Sequence, residues 1–275
     1  MRADMHVHTN ASDGLQTPEE AVAAAKAVGL DALSVTDHDT VYNSAKVNAL
    51  CKDNGIIGIN GVEISAYEGI TKLHTLGYGF DLNNPQLNRF LSELVGNSEK
   101  RTEEIIFKLN KIGVNLKFED VEKERVSPLT PVHAMHLSRA AVKKGLAKHP
   151  FDFYRKYLMY GKPAFTNLCR PTPEQAIEVI TAAGGIAVLA HPGRIELEKS
   201  QLRKLIDRLS EAGLKGIEAV YSTHTVEETE YFKEIAEVLG LFVTGGSDTH
   251  FQGGNRRIGE PVFHMSGELR LRLGI

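Results

Sequence analysis

The sequence is short of several things. Its 275 residues include two cysteines, Cys51 and Cys169, too few for a disulfide framework, so the expected setting is the reducing cytoplasm. No apolar run approaches ~18 residues, which excludes a membrane-spanning helix. The opening MRADMHVHTN carries no signal-peptide apolar core. Neither sign of charge dominates: 32 Lys and Arg against 35 Asp and Glu give a net charge of −3. The electrostatic case for gripping long duplex nucleic acid is therefore missing. A small anionic substrate needs only a local positive site. Tryptophan is absent altogether. Against these shortages stand eleven histidines, more than the eight tyrosines.

The chain repeats one pattern. A helix-like segment ends at glycine, a short apolar run follows, and the run ends in polar residues. PEEAVAAAKAVG leads to LDALSVTDHD, and PTPEQAIEVITAAGG leads to IAVLAHPGR. Thr17 with Glu20, and Thr172 with Gln175, predict capping boxes, with Pro18 at the first helical position and Gly29 past the end. Seven strand-like runs alternating with helices predict an α/β fold, either a parallel sheet or a barrel, with function at the carboxyl ends of the strands. Residues 85–165 break the pattern. SEKRTEEIIFKLNKIG and HAMHLSRAAVKKG are amphipathic helices without a buried strand between them. This stretch is expected to be a helical insertion that caps the active site and shapes the substrate pocket.

The histidines and carboxylates gather at strand ends. His6 and His8 point to one face at the end of the first strand, with Asp13 in the loop beyond. His38 ends the second strand, Glu63 the third, His191 a later one, and Asp248 and His250 the last; His74 lies on the fourth. Taken singly, each has an ordinary reading as a loop histidine, a solvated carboxylate or a turn residue. Together they would be costly to pack unless something cationic compensates. Imidazole with carboxylate suits Zn, Mn or Fe. Nine ligands exceed the needs of one tetrahedral ion, so two or three divalent ions sharing a bridging carboxylate are expected.

The order His6-x-His8, Asp13, Thr36-Asp37-His38-Asp39, Gly61-Val62-Glu63, His74-Thr75-Leu76-Gly77-Tyr78, Ala190-His191-Pro192-Gly193 and Gly246-Ser247-Asp248-x-His250 resembles the PHP (polymerase and histidinol phosphatase) superfamily. Its stand-alone phosphoesterases are the most similar branch. The resemblance implies a distorted (β/α)7 barrel, residues 1–84 and 166–275, carrying the helical insertion 85–165. It also implies three metals: one on His6, His8, Glu63 and Asp248; a second on Glu63, His74 and His191; a third on Asp13, His38 and His250. Such a centre would share a hydroxide that attacks phosphorus in line.

The expected activity is hydrolysis of a phosphomonoester or cyclic phosphodiester in a small phosphorylated metabolite or nucleotide. The alternatives are a 5′–3′ exonuclease on short oligoribonucleotides, a nucleoside 3′,5′-bisphosphate phosphatase, a histidinol phosphatase and a non-catalytic metal-binding barrel. In the bisphosphate branch an Arg-Pro-His run grips a second phosphate. Aligned back from Lys144-Gly145, its histidine becomes His136 and its arginine falls at Ala134, which favours a substrate with a single phosphoryl group. Arg194 is a candidate for phosphate contact or for a surface ion pair. His224 is a candidate to protonate the leaving group or to cap a helix. His136 is a candidate pocket residue. Asp37 and Asp39 are expected to orient ligands from behind, and His133, His149 and His264 to be background.

Overall fold

The computed structural model describes residues 1–251 and 253–275. Eight strands form one sheet: β1 (Arg2–Val7), β2 (Ala32–Val35), β3 (Ile57–Glu68), β4 (Thr71–Tyr78), β5 (Ile186–Leu189), β6 (Gly216–Tyr221), β7 (Phe242–Gly246) and β8 (Phe263–His264). The spatial order is β7-β6-β5-β4-β3-β2-β1-β8. The sheet curls until its ends meet. The short β8 pairs antiparallel with the first half of β1. Beyond it, the His8 N–H donates to the Thr249 carbonyl at 2.9 Å, and the Asp248 N–H to that of His6 at 2.7 Å. The result is the expected distorted barrel, with one strand more than the seven runs legible in the sequence.

Besides the short β8, one strand departs from the expected parallel arrangement. β4 runs antiparallel to both β3 and β5. Only Gly69 and Ile70 separate β3 from β4, and a parallel return needs a crossover of a dozen or more residues. The hairpin is therefore obligatory. His74 consequently reaches the ligand face from the first half of its strand, not from its carboxyl end.

Helices α1 (Pro18–Ala27), α2 (Ser44–Asp53), α7 (Pro173–Ala182), α8 (Lys199–Glu211) and α9 (Val226–Leu239) cover the outside, and α10 (Gly267–Leu273) closes the chain. Both expected capping boxes form. Thr17 Oγ1 accepts from the Glu20 N–H at 3.2 Å, and Thr172 Oγ1 from the Gln175 N–H at 3.3 Å. Strand alternation sorts the core. Val62, Ile64, Leu73, Leu189 and Ile217 pack outward against α7 to α9. Ile59, Leu76, Tyr78 and Val188 form another apolar cluster. Ile59 shares a strand face with Glu63, and Leu76 and Tyr78 with His74, so apolar side chains fill the barrel beneath these ligands.

Between β4 and α7 stand α3 (Pro85–Lys111), α4 (Phe118–Glu122), α5 (Ala134–Lys143), α6 (Pro150–Phe153) and a π-helical turn, Tyr154–Leu158. The amphipathic run beginning near Ser98 is the second half of α3, which starts earlier because Asn84 Oδ1 caps Pro85–Leu87. These helices bury an apolar cluster of their own around Leu109, Leu116, Leu137 and Phe153. Among the described residues, no helix is long and apolar enough to cross a membrane.

Candidate metal centre and active-site cleft

Glu63 sits at the middle of the ligand face and is fully buried. Its two oxygens look in different directions. Oε1 lies 2.7 Å from His74 Nδ1 and 3.0 Å from His191 Nε2. Oε2 lies 3.1 to 3.2 Å from His38 Nδ1, His6 Nε2 and His8 Nε2. Asp248 Oδ1 closes the second group, 3.1 Å from His8 Nε2. A third group forms where Asp13 Oδ1 meets His250 Nε2 at 3.2 Å and His38 Nε2 at 4.0 Å. His8 also stacks on His250, at 4.3 Å between ring centres. All nine expected ligands thus converge, with His8 and His38 each reaching two groups.

This donor set fits cations. His6 Nε2 and His8 Nε2 approach to 3.2 Å, as do His74 Nδ1 and His191 Nε2. Glu63 Oε2, His38 Nδ1 and Asp13 Oδ1 are buried without a well-formed hydrogen bond. Lone pairs crowded in this way, and buried polar atoms left unmatched, are stabilised by metal ions. Three groups could each hold one: His6, His8, Glu63 and Asp248; His38, Glu63 and His74, with His191 beside them; and His8, Asp13, His38 and His250.

The electrostatics divide the cluster. Burial works against charge on His8, yet Asp248 and Glu63 outweigh it and raise this imidazole to about 10. His6 is raised in the same way by Glu218, Glu63 and Asp248. Burial prevails at His38, pushed down to about 4, and at His74. Burial also opposes ionisation of Glu63, Asp13 and Asp248, but the surrounding imidazoles hold all three carboxyls well below their usual range.

The supporting contacts come partly from residues that sequence reasoning missed. Glu218, on β6, lies 2.9 Å from His6 Nδ1 through Oε1 and accepts the His191 N–H at 2.8 Å through Oε2. Its signal was a carboxylate inside the apolar run GIEAVY. Tyr221 donates its hydroxyl to Asp248 Oδ2 at 2.7 Å, and Arg256 binds the same oxygen. Asp37 accepts from the Thr9 N–H and from the Thr9 and Ser12 hydroxyls, fastening the loop that carries Asp13. Asp39 accepts from the Ser65 N–H and from Arg170, at 2.7 and 2.8 Å. Three non-glycine residues here, Asp39, His191 and Asp248, have positive φ. Strain of this kind costs on the order of 1–3 kcal/mol per residue and concentrates where geometry serves function. At Gly246 an added Cβ would lie 2.4 Å from His6 Cβ, so glycine alone allows β7 to pass this close to the ligand strand.

A cavity of about 540 Å³ opens over the cluster. Its floor includes Asp13, Glu63, His74 and Asp248, and its roof Met135, Arg139, His149, Phe151 and Tyr154. Arg194 lines it, donating to Tyr221 and to Asp248 Oδ2 at 3.0 and 3.3 Å. His136 does not line it; its Nδ1 accepts the His133 N–H inside the insertion. The neighbour set aside as background, His133, does line it, 5.5 Å from His38 between ring centres, and so does His149. His264 stays on β8, away from the cleft. His224 has both ring nitrogens engaged with backbone: Nε2 accepts the Gly193 N–H at 3.1 Å and Nδ1 donates to the Ala219 carbonyl at 3.0 Å.

Comparison with known proteins agrees with this geometry. The PHP domain matches residues 4–252. The chain is 33% identical to the 3′,5′-nucleoside bisphosphate phosphatase of Chromobacterium violaceum, over 93% of this chain and 90% of that protein. It is 33% identical to a 5′–3′ exoribonuclease of Haemophilus influenzae, over 94% and 93%. Identity is 31% to the phosphoribosyl 1,2-cyclic phosphate 1,2-diphosphodiesterase of Eggerthella lenta, over 91% and 94%. The structure of an amidohydrolase from C. violaceum, with sulfate bound, superposes with a TM-score of 0.88 at 30% identity, covering 99% of this chain and 97% of that one.

Proposed function

Because the chain belongs to the PHP family, we propose that it is a metal-dependent hydrolase of phosphate esters in small phosphorylated metabolites or nucleotides. The observation that carries this reading is Glu63, whose two oxygens address two separate sets of imidazoles on the floor of a cation-lined cavity. Two or three ions, Mn, Zn or Fe, would be held by His6, His8, Glu63 and Asp248, by Glu63, His74 and His191, and by Asp13, His38 and His250. Bound there, such ions acidify water and neutralise charge developing on a phosphoryl group.

The chain's own groups supply the rest. Glu63 keeps neighbouring ligand sets in register. Glu218 orients His6 and fixes the backbone of His191. Tyr221 and Arg256 hold the outer oxygen of Asp248, so that the inner one faces His8. Arg194, half exposed at the cavity wall, is placed to pair with a phosphate oxygen. The helical segment 85–165 roofs the cleft with Met135, Arg139, His149, Phe151 and Tyr154.

The substrate we favour carries a phosphomonoester or cyclic phosphodiester. The similarity to an exoribonuclease keeps short oligoribonucleotides as the second reading. Two free thiols, Cys51 and Cys169, suit a cytoplasmic setting. The test is turnover of 4-nitrophenyl phosphate and bis(4-nitrophenyl) phosphate by Mn-loaded protein. Activity abolished in Asp248→Ala supports the reading. A folded, metal-loaded protein that cleaves no phosphate ester overturns it.

A further inference from the structure

The loop that carries Asp13 is held from two sides. On the barrel side, Asp37 fastens Thr9 and Ser12. The Gln16 side-chain amide donates to the His8 carbonyl at 2.8 Å, and the Leu15 N–H to that of His250 at 2.7 Å. Asp13 lies between these pins. The turn beside it is tight, since a Cβ added at Gly14 would lie 2.7 Å from the Thr9 carbonyl oxygen. From the roof, Arg139 Nη1 donates to the Asp13 carbonyl at 3.0 Å, across 126 residues of sequence. The insertion thus takes hold of the peptide of a candidate metal ligand.

Helix α5 is patterned for this contact. His133 at its N-cap, His136 and Arg139 recur every three residues and share one face. That face meets the barrel. His133 stands 5.5 Å from His38 between ring centres. His136 is 1% exposed and lies against the backbone of Ser12, its Nε2 buried without a well-formed hydrogen bond. Leu137, Ala140 and Ala141 pack instead into the insertion's own apolar cluster. One side of α5 is thus committed to the insertion and the other to the ligand loop. Glu124 backs the arrangement. Its Oε2 lies 3.8 Å from Arg139 Nε, and its Oε1 2.7 Å from Lys143 Nζ. A planar guanidinium with a carboxylate behind it presents a fixed donor to the loop, where a free side chain would present a mobile charge.

We infer that Arg139 is a positioning residue for Asp13, and that through it the seating of α5 is coupled to the filling of the Asp13, His38 and His250 group by a cation. The inference rests on the metal-centre reading above and goes beyond it, giving the insertion a part in holding an ion besides roofing the cleft. Such coupling is reciprocal. A cation that fixes Asp13 also holds α5 down. Lifting α5 loosens one ligand of that cation. Among the described residues, the hydrogen bond that Arg139 makes into the barrel goes to Asp13, so the other two ligand groups keep their ions.

The test uses the full chain as wild type, Arg139→Met, Glu124→Gln and Lys143→Met. Two readouts need no catalysis: Mn titration followed by electron paramagnetic resonance, and hydrogen exchange of the α5 amides measured against those of α8. In Arg139→Met one ion per chain should bind about 10-fold or more weakly, with the others unchanged. Mn should slow exchange in α5 more than in α8 in wild type, and by the same factor in both helices in Arg139→Met. Glu124→Gln, which unfastens the guanidinium without removing it, should weaken the same ion by less. Lys143→Met, which removes the other partner of Glu124, should match wild type. Equal affinity for every ion in wild type and Arg139→Met overturns the inference, as does extra α5 protection that survives the substitution. A uniform weakening of all ions, or the same loss in Lys143→Met, marks general destabilisation and overturns it too. Where Arg139→Met does not fold, an unchanged Glu124→Gln is enough to overturn it. Wild type that binds Mn but cleaves no phosphate ester defeats the phosphoesterase reading alone, whereas wild type that binds no Mn defeats this inference as well.

Discussion

Glu218 holds His6 by the ring nitrogen that faces away from Glu63 and His8, at 2.9 Å, and its other oxygen is committed to the backbone of His191. One carboxylate therefore sets two histidines that contact different oxygens of Glu63. Glu218→Gln can accept from only one of these donors and turns its amide toward the other. Metal affinity and kcat/KM should fall about 10- to 100-fold, with the fold retained. Elemental analysis after dialysis, alongside circular dichroism, checks this.

Glu63 predicts a different pattern of loss. Glu63→Gln weakens both groups that its oxygens address, so bound metal should drop by more than one ion per chain. Asp13→Asn touches only the group with His250 and should cost no more than one. Equal losses in the two variants would refute the bridging assignment.

The raised histidines give a signed pH dependence. His8, raised to about 10 from an ordinary 6.5, stabilises the metal-free fold fully below pH 6.5 and loses that contribution as pH climbs through about 10. The metal-free protein should therefore melt at falling temperature from pH 7 to 10. Metal must displace protons from His6 and His8, so its affinity should rise over the same range. Calorimetry at pH 7 in buffers of different ionisation heat should show about two protons released on loading.

His224 fastens the turn that carries Arg194, since its Nε2 accepts the Gly193 N–H. His224→Ala leaves that exposed donor to water and should cost no more than about 0.5–1.5 kcal/mol of stability. It should also lower kcat/KM by loosening Arg194. The alkaline limb of the pH–rate profile should keep its position. Disappearance of that limb would instead make His224 the proton donor.

Much of the barrel was legible because helix caps and strand ends are local signals: Thr17 with Glu20, and His38, Glu63, His191 and Asp248 at or past the ends of apolar runs. The convergence of these side chains was legible because His and carboxylate recur at those ends. The direction of β4 was encoded in the two residues of the Gly69-Ile70 turn, yet the apolar run alone carries no direction. Glu218 escaped because a buried carboxylate looks like any polar interruption until its partner, His6, arrives from the other end of the chain. The insertion's contacts were least legible. His133 and His136 differ by three positions on one helix start, and only packing decides which faces the cleft.

The reversal of β4 has a consequence for the roof. The chain leaves that strand at Tyr78, at the end of the barrel opposite the ligands, and must climb back to cover them. Helix α3, 27 residues and about 40 Å long, makes that climb. It is a strut whose length sets the height of the ceiling over a floor built from other strands. Each residue added to α3 would lift the ceiling by about 1.5 Å and turn it by about 100°. Substrate range can thus drift through edits to one helix while the metal floor stays untouched.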